Sequence, residues 1–324
     1  MTERLGRALF RPDAFHGMME RTVPFPPIQR KRVWNSSRPS HSATAYTGTA
    51  PNPSPQTSCT RSSRQAESVA LYPEIAVRWH IAWEGATVTR ALRGQIGISR
   101  VLNAPHYLIA LSKERPGYME HLGFRMEQLI LAATQAGLGT CWLGRALNEA
   151  SVRPLVPDIA AGEHIVALTP LGYADGSQTA RIVEGILRWG ANGVEEQKPL
   201  PEIASHYIWT VPWTGEDGDM TRVLEQVQRA PSWCNTQPWH FVVDERWVIA
   251  TVDHPPRRGN VREGKAYYRL DGGIAMCHFH LAVRARGWQG TWMVPEEAEI
   301  KMLRDRYATP ETHDVLGIYP VQRT

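Results

Sequence analysis

Two short segments carry residue types able to hold a flat ligand with polar edges. The first runs Ala230-Pro-Ser-Trp-Cys-Asn-Thr-Gln-Pro-Trp-His-Phe241 and joins a helical stretch to a strand-like one. Two prolines bracket Ser232, Asn235 and Gln237, which predicts an extended backbone presenting small polar side chains to a cleft. A plain helix-to-strand loop with a buried Trp239 would leave that polar cluster unexplained. The second segment, Gly137-Leu-Gly-Thr-Cys-Trp142, follows a long helical pattern. Its glycines permit positive φ and let backbone amides approach a ligand closely. A helix C-cap also accounts for Gly137.

Other reactive residue types carry less. Cys277-His278-x-His280 has the look of a metal cluster, but helical residues two apart point about 200° apart around the axis. No metal site is expected there. Cys141 and Cys234 fall inside the two segments without an adjacent His or Lys to lower a thiol pKa, and are read as small buried fillers. The chain has no G-x-S-x-G nucleophile turn and no G-x-x-x-x-G-K-[ST] phosphate loop.

The elements that must position the two segments are legible from periodicity. Ile75 to Trp83 and His106 to Ser112 read as strands. Glu120 to Ala136 places Leu122, Met126, Leu129, Ile130 and Ala133 at helical spacing, and Gly137 and Gly139 stop that helix. His164 to Thr169 is a buried strand bounded by Pro170, and 174–200 a Gly-rich, charged connector. In the second half Thr221 to Arg229 is helical. His240 to Val243 and Trp247 to Val252 are strands about a turn at Asp244-Glu-Arg246. Asp271 to Arg286 is a second long helix ending at Gly287.

At 324 residues the chain has room for two units or one large one. No apolar run is long enough for a membrane span, and Arg4, Arg7 and Arg11 are not followed by the apolar stretch of a signal peptide. The four cysteines have no C-x-x-C spacing, which points to reduced thiols in the cytoplasm. The net charge of +4 is modest, and much of it lies in one N-terminal stretch, so nucleic-acid binding is not inferred. Residues 1–34 are mixed. From Arg21 to Ala66 there is no Asp or Glu, and 35–68 is rich in Ser, Thr and Pro. That composition predicts a disordered basic linker; the other reading is a stretch standing in place of an ordered element.

The halves repeat one another. At a constant offset of 150, Gly123 matches Gly273, Met126 matches Met276, Leu131-Ala132 matches Leu281-Ala282, Gly137 matches Gly287 and Trp142 matches Trp292. The two segments, taken together, resemble the nitroreductase family of FMN enzymes. Ala230-Pro-Ser-x-x-Asn-x-Gln-Pro-Trp239 is close to that family's most recognisable signature. Gly137-Leu-Gly-Thr-x-Trp142 and Leu171-Gly-Tyr173 match two further motifs in the family's order. The resemblance is closest to the TM nitroreductase branch, in which one chain carries two copies of the fold, and includes Ala104-Pro-His-Tyr107 and Asp271-x-Gly-Ile-Ala-Met276.

What the resemblance implies is specific. The fold is α+β, with two nitroreductase-like repeats (69–200 and 201–324) of mostly antiparallel sheet flanked by helices, fused as a pseudo-dimer. With the dimer interface internal, the chain can work as a monomer. FMN lies between the halves. The first supplies Gly137, Leu138, Gly139 and Thr140, and the second supplies Pro231, Ser232 and Asn235, with Gln237 and Trp239 as support. Lys198 meets the phosphate. Arg30 and Arg32, followed by Ser36 and Ser37, stand where the family has an Arg-Arg-Ser-x-Arg phosphate grip. The implied reaction passes hydride from NAD(P)H through the flavin to an acceptor such as a nitro compound or quinone, with backbone amides near Gly137 and Gly139 tuning the ring and no side-chain base. The alternative is a non-catalytic flavin-binding or structural protein. One cleft per chain keeps both walls: Ser68 to Pro73 replaces the Pro-Ser loop in half one, and bulky Trp288 and Gln289 crowd the Gly-rich segment of half two.

Overall fold

The computed structural model describes residues 69–93, 104–144, 147–172, 197–254, 261–262 and 264–323. The expectations for 1–34, 35–68, Arg30, Arg32, Ser36, Ser37, Tyr173 and most of the connector therefore lie outside the described residues.

In chain order the elements are β1 (Val77–Ala82), α1 (Gly85–Ala91), β2 (His106–Lys113), α2 (Tyr118–Gln135), α3 (Glu149–Val152) and β3 (Glu163–Leu171). There follow α4 (Leu200–Ile203), β4 (Ala204–His206), α5 (Gly218–Gln228), β5 (Trp239–Val243) and β6 (Trp247–Asp253). The last are β7 (Val261–Arg262), β8 (Lys265–Ala266), α6 (Tyr267–Ala285), α7 (Glu297–Tyr307) and β9 (His313–Pro320). One sheet has the order β1-β2-β3, antiparallel throughout. A second has the order β4-β5-β6-β9, antiparallel except that β4 runs parallel to β5, and β7 and β8 pair antiparallel as a two-stranded ribbon. Helices and antiparallel sheets thus make an α+β fold.

Strand β2 shows why the first sheet is covered on both faces. Tyr107, Ile109 and Leu111 join one apolar cluster, while Leu108 and Ala110 join others, as the two-residue side-chain period requires. In β3 that alternation breaks, because Ile165 and Leu168 fall in the same cluster. The cause is a bulge: Ala110 pairs with Ala167 but Leu111 pairs with Ile165, so Val166 is extra. The second sheet carries the same irregularity. Ala250 pairs with Gly317 and Thr251 with Val315, leaving Leu316 extra.

The sequence expects β3 to stop before Pro170, yet the strand runs on to Leu171. Proline cannot donate to a ladder but is tolerated on an edge, and β3 is the terminal strand of its sheet. Helix α6 begins four residues before the expected Asp271.

Helices α2 and α6 pack along one another at the centre of the main core. Most of their residues are buried, including polar ones, as in helices covered on every side. Two glycines set their separation. A Cβ on Gly123 would lie 2.2 Å from Leu270 O, and one on Gly273 would lie 2.0 Å from Glu120 O. Helix α5 lies against α6 through Met220, Val223, Leu224 and Val227, spaced as one helical face. Among the described residues no helix is long and apolar enough to cross a membrane.

Candidate functional site

The segment after α5 is not the extended ribbon its prolines predict. Residues Trp233–Asn235 form a 3-10 turn, and Cys234, Asn235 and Gln237 have φ of 48°, 52° and 43°. Left-handed backbone is uncommon in residues with side chains and persists where surrounding bonds hold it. Those bonds are visible. Ser232 Oγ accepts the Gln237 N–H at 2.8 Å, folding the loop back on itself. Asp271 Oδ2 on α6 accepts the Trp233 N–H at 3.2 Å. Asp271 is 3% exposed, and burial pushes its carboxyl well above the usual carboxylate range.

Lys198 sits against this loop. Its Nζ donates to Gln237 O at 2.9 Å and its N–H to Gln237 Oε1 at 3.1 Å, while Gln228 Nε2 donates to Lys198 O at 2.7 Å. The residue expected at a phosphate thus also braces the polar loop. Gln237 is buried and engaged in support, as expected of it. Thr236 Oγ1 and Trp239 Nε1 are buried with no hydrogen-bond partner among the described residues. An indole N–H so placed is costly to leave unmet.

The Gly-Leu-Gly segment ends α2 in a Schellman cap. Gly137 has φ 84°; its N–H reaches Thr134 O at 2.9 Å, and the Leu138 N–H reaches Ala133 O at 2.9 Å. Gly139 N–H then donates to Gly172 O at 2.8 Å, so the chain returns along the outer edge of β3, with a second bridge between Leu143 and Leu168. Three of the amides in Gly137 to Thr140 are therefore committed within the fold. The Gly137 and Gly139 amides, expected near a ligand, thus each have a backbone acceptor. Gly137→Ala is expected to cost about 1–2 kcal/mol in urea unfolding, the penalty of a left-handed residue with a Cβ; an unchanged midpoint would contradict the cap. Thr140 is buried. Cys141 donates its N–H to Thr169 Oγ1 at 2.9 Å, and burial pushes its thiol up to about 11, in keeping with a filler rather than a nucleophile.

A buried polar chain connects the two segments. Trp142 Nε1 donates to Glu127 Oε2 at 2.8 Å. Glu127 Oε1 lies 2.8 Å from His278 Nε2, and His278 Nδ1 lies 3.1 Å from Gln226 O in α5, the helix that leads into the Pro-Ser loop. Sequence reasoning missed Glu127 and set His278 aside with the metal question, because their partnership spans 151 residues. Asp271 had a signal, the Asp271-x-Gly-Ile-Ala-Met276 motif.

The positions related to these by the sequence offset of 150 differ. Trp288 is buried in the main core with the Arg323 guanidinium 4.6 Å over its ring, and a Cβ on Gly290 would lie 2.3 Å from Pro320 O. Tyr72 N–H donates to His121 Nδ1 at 3.0 Å, and His121 stands 150 residues before Asp271. His121 is fully buried, and desolvation pushes it down to about 4. A cavity of about 280 Å³ lies where α2 and α6 begin, lined by Arg115, Gly117, Glu120, Gly264 and Arg269 among others.

The family model described as "Putative TM nitroreductase" matches residues 68–283. No curated protein matches the chain. Among solved structures, a protein from Thermotoga maritima MSB8 described as a "putative nitroreductase" is 15% identical, covering 87% of this chain and 90% of its own, with a TM-score of 0.46. A nitroreductase family protein from Clostridium novyi NT is 23% identical over 44% of this chain and 85% of its own, with a TM-score of 0.33. An FMN-dependent nitroreductase from Clostridium difficile R20291 is 12% identical over 44% and 87%, with a TM-score of 0.35.

Proposed function

The chain belongs to the TM nitroreductase family, and from that premise we propose that it is an FMN-dependent oxidoreductase using NAD(P)H. Bound FMN would supply the redox chemistry, passing hydride from NAD(P)H to an oxidised acceptor such as a nitro compound or quinone. The observation that carries this reading is the Pro-Ser loop. Its backbone is held in an unusual left-handed form by Ser232, Asp271 and Lys198, with the Trp239 indole N–H and the Thr236 hydroxyl unmet beside it. Ser232 and Asn235 would hold polar edges of the ring from the second half, with Pro231 shaping the loop and Gln237 behind it. Leu138, Gly139 and Thr140 would face the ring from the first half. Arg30, Arg32 and Lys198 are the proposed phosphate contacts.

The proposal includes an internal duplication, with repeats at 69–200 and 201–324. In its favour, the bridges Gly139–Gly172 and Leu143–Leu168 recur 150 residues later as Gln289–Gln322 and Met293–Ile318. The extra residues Val166 and Leu316 of the two bulges obey the same offset, as do the glycine contacts across α2 and α6. A chain containing both walls of the cleft would act as a monomer, and the Cys141 and Cys277 thiols suit the cytoplasm.

The alternative, a non-catalytic flavin-binding or structural protein, is favoured by the amides already committed at Gly137 to Gly139. Purified full-length protein distinguishes the readings. We expect one FMN released per chain on denaturation, and bleaching of the flavin bands on rapid mixing with NADH or NADPH without acceptor. Two flavins per chain would contradict a single cleft. Flavin that neither nicotinamide reduces would favour the binding-protein reading.

A further inference from the structure

We propose that Glu127 and His278 are a positioning pair that fixes Trp142 against the single cofactor cleft. This rests on the FMN reading above. Glu127 is fully buried on α2 and His278 nearly so on α6. The carboxyl group accepts the Trp142 indole N–H on one oxygen and meets His278 Nε2 on the other, both at 2.8 Å. Gln226 O lies 3.1 Å from His278 Nδ1, so the ring bridges the carboxyl group of α2 to the backbone of α5. One chain of bonds thus ties the tryptophan of the Gly-Leu-Gly segment to the end of the helix that delivers the Pro-Ser loop. A buried carboxyl group with both oxygens satisfied is a stiff anchor; with one partner removed it is an expensive one.

The asymmetry gives this pair its meaning. The residues 150 positions away are Cys277 in place of Glu127 and Gln128 in place of His278. Gln128 Nε2 turns instead to Val69 O at 3.3 Å, and the mirrored Trp292 donates to the backbone oxygen of Met276 at 2.9 Å. The helices are otherwise matched closely enough to share reciprocal glycine contacts. A merely structural bond between two similar helices would serve either side equally. The carboxyl–imidazole pair occurs only on the side where the Gly-Leu-Gly segment and the Pro-Ser loop belong to different halves and neither is filled by a bulky residue.

The test measures FMN affinity by flavin fluorescence quenching alongside the indole N–H resonance of Trp142, identified by its loss in Trp142→Phe. Glu127→Ala is expected to shift that resonance and weaken FMN binding about tenfold or more. Glu127→Gln keeps an oxygen to accept from the indole and an amide to meet the His278 ring, so it should restore the resonance and bind within about threefold of wild type. Gln128→Ala and Cys277→Ala, on the mirrored side, should leave affinity unchanged. Should Glu127→Ala fail to fold, Trp142→Phe removes only the indole donor and should weaken binding in the same direction. Wild-type affinity in Glu127→Ala or Trp142→Phe, or equal losses from the mirrored variants, would overturn the pair's role while leaving the FMN reading intact. Wild-type protein that takes up no FMN would overturn both.

Discussion

Arg269→Met is expected to destabilise the protein by about 3–5 kcal/mol, the range found when one partner of a buried ion pair is removed. The guanidinium reaches Glu120 through Nε at 3.1 Å and Nη2 at 2.7 Å, and Asp314 through Nη1 at 2.8 Å. Glu120 is 1% exposed, so its carboxylate gives up water to make the pair, and among the described residues the Tyr72 hydroxyl, at 3.3 Å, is the donor that remains to it. Asp314 is more exposed and can rehydrate, so the cost belongs mainly to Glu120. Removing both charges should recover most of it: Glu120→Met with Arg269→Met leaves apolar chains of similar length and no uncompensated ion at Glu120, while the more exposed Asp314 rehydrates. Because the pair joins α2 to α6, the double-mutant cycle also reports how strongly those two helices are coupled. Urea unfolding supplies all four stabilities. A single variant within about 1 kcal/mol of wild type would mean that the pair is solvated and contributes no more than a surface one.

That bond could not be read from the sequence, and the reason is general to this chain. Local periodicity exposes α2, α5, α6, β2, β5 and β6, because each shows its own apolar pattern within a few residues. It fails at β9, where the bulge at Leu316 puts Val315 and Leu316 side by side in the buried strand and spoils the alternation. It also misses α7, whose only buried residue is Tyr307 and whose pattern is therefore mostly that of a solvated surface. The Pro-Ser loop was legible as a polar motif but not as a shape. Its left-handed residues are fixed by Asp271 and Lys198, from distant parts of the chain. Gly137 is the opposite case, a glycine whose position after a helical run and whose left-handed cap are both local. The Glu127–His278 pair and the Arg269–Glu120 pair depend on α2 meeting α6, and no local signal carries that. The repeat comes closest: the offset of 150 aligns Gly123 with Gly273, each close against the backbone of the other helix.

Gly139→Val is expected to abolish flavin retention while the protein still folds. The contrast with Gly137 makes the test clean. Gly137 needs a positive φ, so any side chain there is strained before a ligand is considered. Gly139 is not among the positive-φ residues, and its N–H is held by Gly172 O, so a Cβ is tolerated by the backbone. A loss of FMN would then report occupied space rather than a distorted chain. Asn235 needs the complementary control, since its φ of 52° suits Asn better than Ala. Asn235→Ala should weaken FMN by about 1–3 kcal/mol if a buried polar contact is lost. Asn235→Gly removes the same side chain but accepts the backbone, so an equal loss assigns the effect to the contact. Neither thiol should matter beyond packing. Cys141 is held protonated by burial, and Cys141→Ala and Cys234→Ala should keep flavin and turnover. Fluorescence titration with FMN and a thermal melt of each apo-protein separate binding from folding. Wild-type affinity in both Gly139→Val and Asn235→Gly would move the flavin away from these two segments, and a cysteine variant that binds FMN normally yet no longer reduces acceptor would place thiol chemistry in the reaction.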